Sequence, residues 1–73
     1  MTKTMHTKEY RSFVERIRSA RLSVGLKQTD VAKKLKKPQS YISKIESGEQ
    51  RIDVIELKHL AKMYRLKIDY FLV

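Results

Sequence analysis

Apolar residues recur along this chain at the spacing of amphipathic helices, and short polar stretches separate the groups. Between Lys8 and Val24 the apolar residues stand three and four positions apart, which places them on one face of a helix. The residues on this face are Tyr10, Phe13, Ile17, Ala20 and Val24. Gly25 follows, at a position where a left-handed cap costs little. The pattern therefore predicts a first helix that Gly25 stops.

Two shorter helices are predicted in the middle of the chain. The second helix runs from Gln28 to about Leu35 and buries Val31, Ala32 and Leu35. Pro38 forces a boundary, because its ring is incompatible with a helix interior. The third helix is therefore expected from about Gln39 to Ser47, and Gly48 stops it.

The remainder of the chain predicts a fourth helix and a short apolar tail. Asp53, with Glu56 three positions later, has the form of a capping box. One face of the following helix carries Val54, Leu57, Leu60, Ala61 and Tyr64. Residues 68–73 are expected to form one or two helical turns. The pattern predicts an all-α fold, with one domain over residues 8–73 and a frayed N-terminus over residues 1–7.

The third predicted helix has two different faces. Ile42, Ile45 and Glu46 share one face of the helical wheel. The opposite face carries Ser40, Ser43, Lys44 and Ser47, with Gln39 at its leading end. Ordinary surface helices present long charged side chains, whereas these short hydrogen-bonding groups permit close approach to base edges. The polar face therefore has the size and chemistry to enter a DNA major groove.

The charge of the chain favours the same partner. Seventeen Lys and Arg against eight Asp and Glu give a net charge of +9 in 73 residues. This balance favours a polyanion, nucleic acid before an acidic membrane, although a merely soluble basic protein would share it. The chain has no cysteine, which suits a cytoplasmic protein. It also lacks a signal peptide and any apolar run of about 18 residues, so we expect no membrane association.

The reactive side chains argue against an enzyme. His6 belongs to the polar N-terminal segment, and His59 points away from the apolar face of the fourth helix. These two histidines form no cluster with metal-ligand spacing. No serine has a suitable base partner, and the chain contains no Gly-rich phosphate loop. We therefore expect no catalytic residue, no metal and no cofactor.

A motif extends over residues 13–71. It comprises Ile17, Arg21, Gly25, Leu26, Gln28, Val31, Ala32, Leu35, Gln39, Ile42, Ser43, Ile45, Glu46, Gly48, Arg51, Val54, Leu57, Leu60, Ala61 and residues 69–71. By these residues the chain resembles the Cro/repressor-type (Xre-like) helix-turn-helix family of phage repressors and small bacterial regulators. The resemblance implies a compact five-helix repressor-like domain, in which helices 2 and 3 form the helix-turn-helix.

Two positions depart from the family's pattern, and both lie in the turn between helices 2 and 3. Lys36 stands where the family usually has Gly in a left-handed conformation, and a lysine there would cost about 1 kcal/mol. Pro38 replaces the usual Ser or Thr cap of the third helix and supplies no hydroxyl. The family fold is expected to tolerate both residues.

The resemblance also implies roles at a DNA surface. Gln28 is expected to hold a phosphate and to brace Gln39. Gln39 can pair with adenine N6 and N7, and Lys44 can donate to guanine O6 or N7. Arg51, in the loop before the fourth helix, is a candidate phosphate contact. The expected DNA-binding residues are Lys27, Gln28, Gln39, Ser40, Tyr41, Ser43, Lys44, Ser47 and Arg51.

Two of these roles have an alternative. Tyr41 could reach a phosphate or a thymine methyl group, or its ring could pack along the second helix. Lys27, together with Lys36 and Lys37, could contact DNA or remain solvated. In either case these lysines add to the positive field of the surface.

Arg21 and Glu46 are expected to be structural. Glu46 belongs to the buried face of the third helix, where an unpaired carboxylate would be costly. The resemblance implies a partly buried ion pair between Arg21 on the first helix and Glu46 on the third. The alternative, a phosphate contact by Arg21, would leave Glu46 without a partner.

Apolar residues outside the core faces suggest an interface between two copies. Ile55 and Met63 point away from the apolar face of the fourth helix, and the last four residues cannot all face one small core. The expected homodimer interface is Ile55, Met63, Tyr70, Phe71, Leu72 and Val73. The alternative is ordinary scattered apolar exposure with a frayed end.

These features predict a sequence-specific transcriptional regulator, bacterial or phage, that binds double-stranded DNA. We expect a repressor or autoregulator that binds a palindromic operator as a homodimer, with half-sites about one helical turn apart and no small-molecule effector domain. The alternative is an antitoxin that neutralises a partner toxin and autoregulates its operon. Binding of structured RNA fits less well, because A-form major grooves exclude a recognition helix.

Overall fold

The chain folds into five α-helices and, over the described residues 7–72, no β-strand. The structure, a computed structural model, describes these residues, so the expectations for residues 1–6 and for Val73 lie outside them. The helices are α1 (Lys8–Ser23), α2 (Gln28–Leu35), α3 (Gln39–Ser47), α4 (Val54–Met63) and α5 (Asp69–Leu72). The predicted all-α, five-helix fold is confirmed. No helix in this part of the chain is long and apolar enough to cross a membrane.

Local side-chain and backbone geometry sets the ends of the helices. The Thr7 hydroxyl accepts a hydrogen bond from the Tyr10 amide at the start of α1, at 3.0 Å. The Asp53 carboxylate does the same for the Glu56 amide at the start of α4, at 2.8 Å. Both bonds satisfy amides that have no partner inside their helix. Gly25, beyond the end of α1, has φ +74°, as the predicted left-handed cap requires.

The turn between α2 and α3 keeps a left-handed residue although no glycine is present. Lys36 has φ 58° and ψ 44°, and its backbone amide donates to the carbonyl groups that end α2. The Lys37 amide donates to the Ala32 carbonyl at 3.0 Å. Pro38, with φ −66°, then starts α3 without a side-chain cap. The first departure from the family's pattern therefore preserves the geometry of the turn at the cost of a strained lysine.

One apolar cluster joins all five helices. Its buried members are Ile17, Ala20, Val31, Ala32, Ile42, Ile45, Leu57, Leu60, Ala61, Tyr64 and Phe71. Tyr64 and Phe71 are the largest side chains that are fully buried. Val14 is buried as well, although the predicted apolar face of the first helix omitted it. The buried face of α1 is therefore wider than the spacing of three and four residues indicated.

Two apolar residues lie elsewhere than predicted. Val54 is 61% exposed, because it is the first residue of α4 and the buried part of that helix begins at Leu57. Phe71 is only 1% exposed, because α5 packs against α1 and places the ring in the core. Phe71 is thus a core residue, which corrects its assignment to a subunit interface. Met63 and Tyr70 are half-buried against the same core.

Replacement of Lys36 by glycine is expected to stabilise the fold. Glycine removes the strain of a Cβ in the left-handed region, while it makes the unfolded chain more flexible. The net effect of Lys36→Gly should be an increase of roughly 0.5–1 kcal/mol in the free energy of unfolding. Urea denaturation at equilibrium measures this difference.

Lys37→Gly provides the control in the same turn. Lys37 has no positive φ angle to relieve, so its replacement should only lower the stability. If Lys36→Gly is no more stable than the parent, Lys36 adopts its left-handed conformation without significant strain.

Candidate nucleic-acid interface

The two predicted faces of α3 are separated by burial. Ile42 and Ile45 are 3% and 1% exposed and pack into the core. The opposite side carries five exposed residues, which we call the recognition face: Gln39, Ser40, Ser43, Lys44 and Ser47. Because α3 packs against both α1 and α2, this face is held on a rigid element. The side chains on this face are polar, most of them are short, and Lys44 adds a positive charge.

Gln39, at the start of the recognition face, is held by a side chain of α2. Its Nε2 donates to Oε1 of Gln28 at 2.5 Å. The Nε2 of Gln28 in turn donates to Oε1 of Glu46 at 3.0 Å. The structure thus brings the two glutamines together and adds Glu46 as a partner that the sequence analysis missed. The helical wheel placed Glu46 on the buried face, but only the packing of α2 on α3 brings Gln28 to it.

Arg21 and Glu46 form a nearly buried, bidentate ion pair. The Nε of Arg21 lies 2.6 Å from Oε2 of Glu46, and its second terminal nitrogen donates to Oε1 at 3.0 Å. The remaining terminal nitrogen donates to the Leu26 carbonyl at 2.8 Å. The hydrogen bonds that Arg21 donates to the Glu46 carboxylate raise the pKa of Arg21, so the guanidinium stays charged. Each of the three nitrogens of Arg21 donates a hydrogen bond inside the protein, and the side chain is only 8% exposed, which favours a structural role over a phosphate contact.

Tyr64 packs in the core near this ion pair. Burial raises the pKa of its hydroxyl well above the ordinary value, and the charge of Glu46 adds to the effect. The phenol therefore stays neutral at ordinary pH.

Two residues of the predicted DNA-binding set are also engaged within the protein. Tyr41 is half-buried against the core, and the Lys37 ammonium lies 5.1 Å from the centre of its ring. Burial raises the pKa of the Tyr41 hydroxyl. This position matches the alternative in which the ring packs rather than reaches DNA. The Ser47 hydroxyl donates to the Lys44 carbonyl at 3.2 Å, so its proton is used inside α3.

The predicted phosphate contacts lie on exposed parts of the chain. The Arg51 guanidinium sits 4.7 Å from the centre of the Tyr10 ring, a partner that the sequence analysis assigned only to the buried face of α1. Stacking uses the flat face of a guanidinium and leaves its N–H edge available to a phosphate. Lys27 and Lys36 are exposed at the two ends of α2.

A groove of about 570 Å³ with a mixed apolar and polar lining lies on the surface formed by α1, α4 and α5. It is lined by Thr7, Glu9, Tyr10, Phe13, Arg51, Ile52, Val54, Leu57, Phe71 and Leu72. Leu72 is 62% exposed at its edge, and Ile55 is 56% exposed on α4. Of the residues expected at a dimer interface, Ile55 and Leu72 are therefore the large apolar ones that reach solvent among those described.

Comparison with known protein families gives one match for most of the chain. A family model described as "Helix-turn-helix" matches residues 17–71, which include α2, α3 and the ion pair. No curated protein and no solved structure matches the chain.

Removal of the Glu46 carboxylate is expected to destabilise the fold strongly. Glu46→Ala leaves the Arg21 guanidinium nearly buried without its partner, which should lower the free energy of unfolding by roughly 3–5 kcal/mol. Chemical denaturation followed by circular dichroism measures the loss. Replacement of both partners, Arg21→Met with Glu46→Leu, should recover much of the stability because no buried charge remains.

Glu15→Ala is the control, because it makes the same change of residue type at an exposed position of α1. Its effect should stay within about 0.5 kcal/mol of the parent. If Glu46→Ala unfolds at the same denaturant concentration as Glu15→Ala, the ion pair is not a structural element.

Proposed function

The chain belongs to the helix-turn-helix family of DNA-binding transcription regulators, and we propose that it represses transcription by binding a palindromic operator as a homodimer. The observation that carries this proposal is the recognition face, whose leading residue Gln39 is held in place by Gln28. A contact that is pre-positioned in the free protein loses little side-chain entropy on binding, which favours discrimination between bases.

The recognition face has the donors and acceptors for direct readout of base edges. A glutamine amide matches the N6 and N7 groups of adenine, and a lysine ammonium donates to guanine O6 or N7. Gln39 and Lys44 are the residues on α3 with these groups. Ser40 and Ser43 add short hydroxyl groups, which are suited to direct or water-mediated contacts.

The surroundings of the recognition face supply contacts to the DNA backbone. The N-terminus of α2 has free amides and the positive end of the helix dipole, both of which favour a phosphate. Exposed Lys27 and Lys36 and the guanidinium edge of Arg51 add positive charge. With a net charge of +9, the chain is attracted to any duplex, so these contacts strengthen binding without specifying sequence.

A homodimer is supported by the exposed apolar surface. The groove lined by Val54 and Leu72 leaves these two side chains 61% and 62% exposed, which is unfavourable in water. A two-fold contact there would bury the groove of one copy against the same groove of the other. Such a dimer reads a palindrome with half-sites about one helical turn apart, and it represses transcription where that operator overlaps a promoter.

Selection of bound sequences from a random duplex library tests the proposal directly. The expected result is one enriched motif with two-fold symmetry and a half-site spacing of about 10 base pairs. Enrichment of a motif without symmetry would contradict the dimer, and the absence of any enriched motif would contradict sequence-specific regulation.

Base-reading and backbone-binding residues should respond differently to mutation. Gln39→Ala and Lys44→Ala should each cost about 1–3 kcal/mol on the preferred duplex and relax the sequence preference at one base position. Arg51→Ala should weaken all duplexes alike and lower the slope of log affinity against log salt by about one unit. Fluorescence anisotropy on the preferred and a scrambled duplex, at several salt concentrations, separates the two patterns.

Equal losses on both duplexes for Gln39→Ala would show that this residue only holds the DNA backbone. Ser19→Ala serves as the control, because it changes an exposed side chain of α1 outside the recognition face and keeps the net charge.

Neutral polar substitutions at the exposed apolar residues of this groove should weaken the dimer. Val54→Ser with Leu72→Ser removes two exposed apolar side chains and keeps the net charge, so electrostatic attraction to DNA is unchanged. We expect a shift toward monomer in sedimentation, and a larger loss of affinity for the full operator than for a single half-site. The core residue Phe71 is left intact, so that loss of folding is not mistaken for loss of assembly.

Leu22→Ser is the matched control, because Leu22 is 56% exposed on α1 and does not line the groove. It should sediment like the parent. An unchanged sedimentation profile for the groove variant would place the dimer contact elsewhere or show a monomeric free protein.

A further inference from the structure

Four side chains form a continuous hydrogen-bonded chain from the core to the tip of the recognition face. Arg21 donates to both oxygens of Glu46, at 2.6 Å and 3.0 Å. Gln28 donates to Oε1 of Glu46 at 3.0 Å, and Gln39 donates to Oε1 of Gln28 at 2.5 Å. The side chains cross from α1 through α3 and α2 and return to the first residue of α3.

The chemistry of the chain fixes which end of each amide faces its neighbour. An ionised carboxylate can only accept hydrogen bonds, so Gln28 must turn its Nε2 toward Glu46. Its Oε1 then faces Gln39, which must donate from its own Nε2. The assignment of nitrogen and oxygen in both glutamines therefore follows from the charge of Glu46.

The orientation of the two amides determines which hydrogen-bonding groups of Gln39 are free to bind a base. One of its two N–H groups is used by Gln28, which leaves the second N–H and the carbonyl oxygen. A donor beside an acceptor matches adenine, which presents an N7 acceptor and an N6 donor in the major groove. Guanine presents two acceptors there, at N7 and O6, and one of them would face the carbonyl oxygen of Gln39.

We infer that Glu46, although it never faces DNA, is a positioning residue that sets the base preference of Gln39 by fixing the amide polarity of Gln28. The inference rests on the proposed function, because it assumes that Gln39 reads a base. It adds a specific cause for the preference, namely a charge in the core two hydrogen bonds away from the reading side chain.

Glu46→Gln should reverse the polarity. The new amide nitrogen has to replace either Oε2, which is 2.6 Å from Nε of Arg21, or Oε1, which accepts at 3.0 Å. A second donor at 2.6 Å from Nε is the worse contact, because the arginine cannot turn into an acceptor. At Oε1 the nitrogen faces the terminal nitrogen of Arg21 at the longer distance of 3.0 Å, and it also faces Gln28, whose amide can rotate and accept. Gln28 then donates to the carbonyl oxygen of Gln39, which is left with two free N–H groups.

The test measures the base preference of the parent and of Glu46→Gln on duplexes that differ only at the base pair read by Gln39. We expect the parent to favour adenine over guanine by about tenfold. In Glu46→Gln the ratio should invert, because two donors match the two acceptors of guanine. An unchanged adenine preference in a folded Glu46→Gln protein would overturn the inference.

Gln28→Met keeps the length of the side chain and its helix propensity but removes both hydrogen bonds. With Gln39 free to rotate, the ratio of adenine to guanine affinity should fall toward one without inverting. If Glu46→Gln and Gln28→Met give the same ratio, the hydrogen bonds hold Gln39 in place without setting the orientation of its amide, and the inference fails. Gln50→Ala removes an exposed glutamine that takes no part in these hydrogen bonds, so it should leave the ratio of adenine to guanine affinity as in the parent.

A measurement on the free protein separates this inference from the proposed function. Scalar coupling across the hydrogen bond, detected by NMR, should connect Nε2 of Gln39 to the side-chain carbonyl carbon of Gln28. In Glu46→Gln it should instead connect Nε2 of Gln28 to the carbonyl carbon of Gln39. If Glu46→Gln does not fold, the parent alone decides: a second coupling, from Nε2 of Gln28 to the side-chain carboxylate carbon of Glu46, supports the inference, and its absence overturns it.

If the proposed function were wrong but the amide orientation right, the parent protein would show the coupling from Gln39 to Gln28 and yet have no base preference. Base preference without the coupling from Gln39 to Gln28 would overturn the inference and leave the function intact.

Discussion

The ion pair between Arg21 and Glu46 links the core of the protein to its exposed recognition face. It joins residues 25 positions apart and so ties the orientation of α3 to α1. Two charges removed from water are tolerable only when hydrogen bonds satisfy them closely, which makes the permitted geometry narrow. Because the same carboxylate holds Gln28, this narrow geometry extends to the surface. The recognition face is therefore positioned from the core.

The small size of the chain makes single residues serve both packing and the surface. A domain of 73 residues buries a limited share of its surface, so few side chains can be reserved for one task. Tyr41 belongs to the predicted DNA surface yet packs against the core under Lys37. Arg51 stacks on Tyr10 while its N–H edge stays available. In both places a surface cation, Lys37 or Arg51, lies against an aromatic ring, which restricts the positions of its side chain.

The limits of helical periodicity are visible at two residues. Val54 has the right spacing for the buried face of α4, but it lies beyond the residues that cover the rest of that face, so it is exposed. Phe71 stands among four consecutive apolar residues, for which spacing alone could not decide which one turns inward. Packing of α5 on α1 decided it. Periodicity identifies a face of a helix, whereas burial depends on what lies opposite.

The local sequence predicted the four longer helices, a short helical tail and the two faces of α3, since helix ends and faces depend on residues within about four positions. The left-handed conformation expected at Lys36 rested on the family's pattern. The resemblance to a family supplied the pairing of Arg21 with Glu46, which no local spacing indicates. Only the tertiary structure decided that Gln28 reaches Glu46 across 18 positions and that Arg51 lies on Tyr10. Such contacts form where the surfaces of separate helices meet, and the angle and offset of that packing are properties of the assembled core.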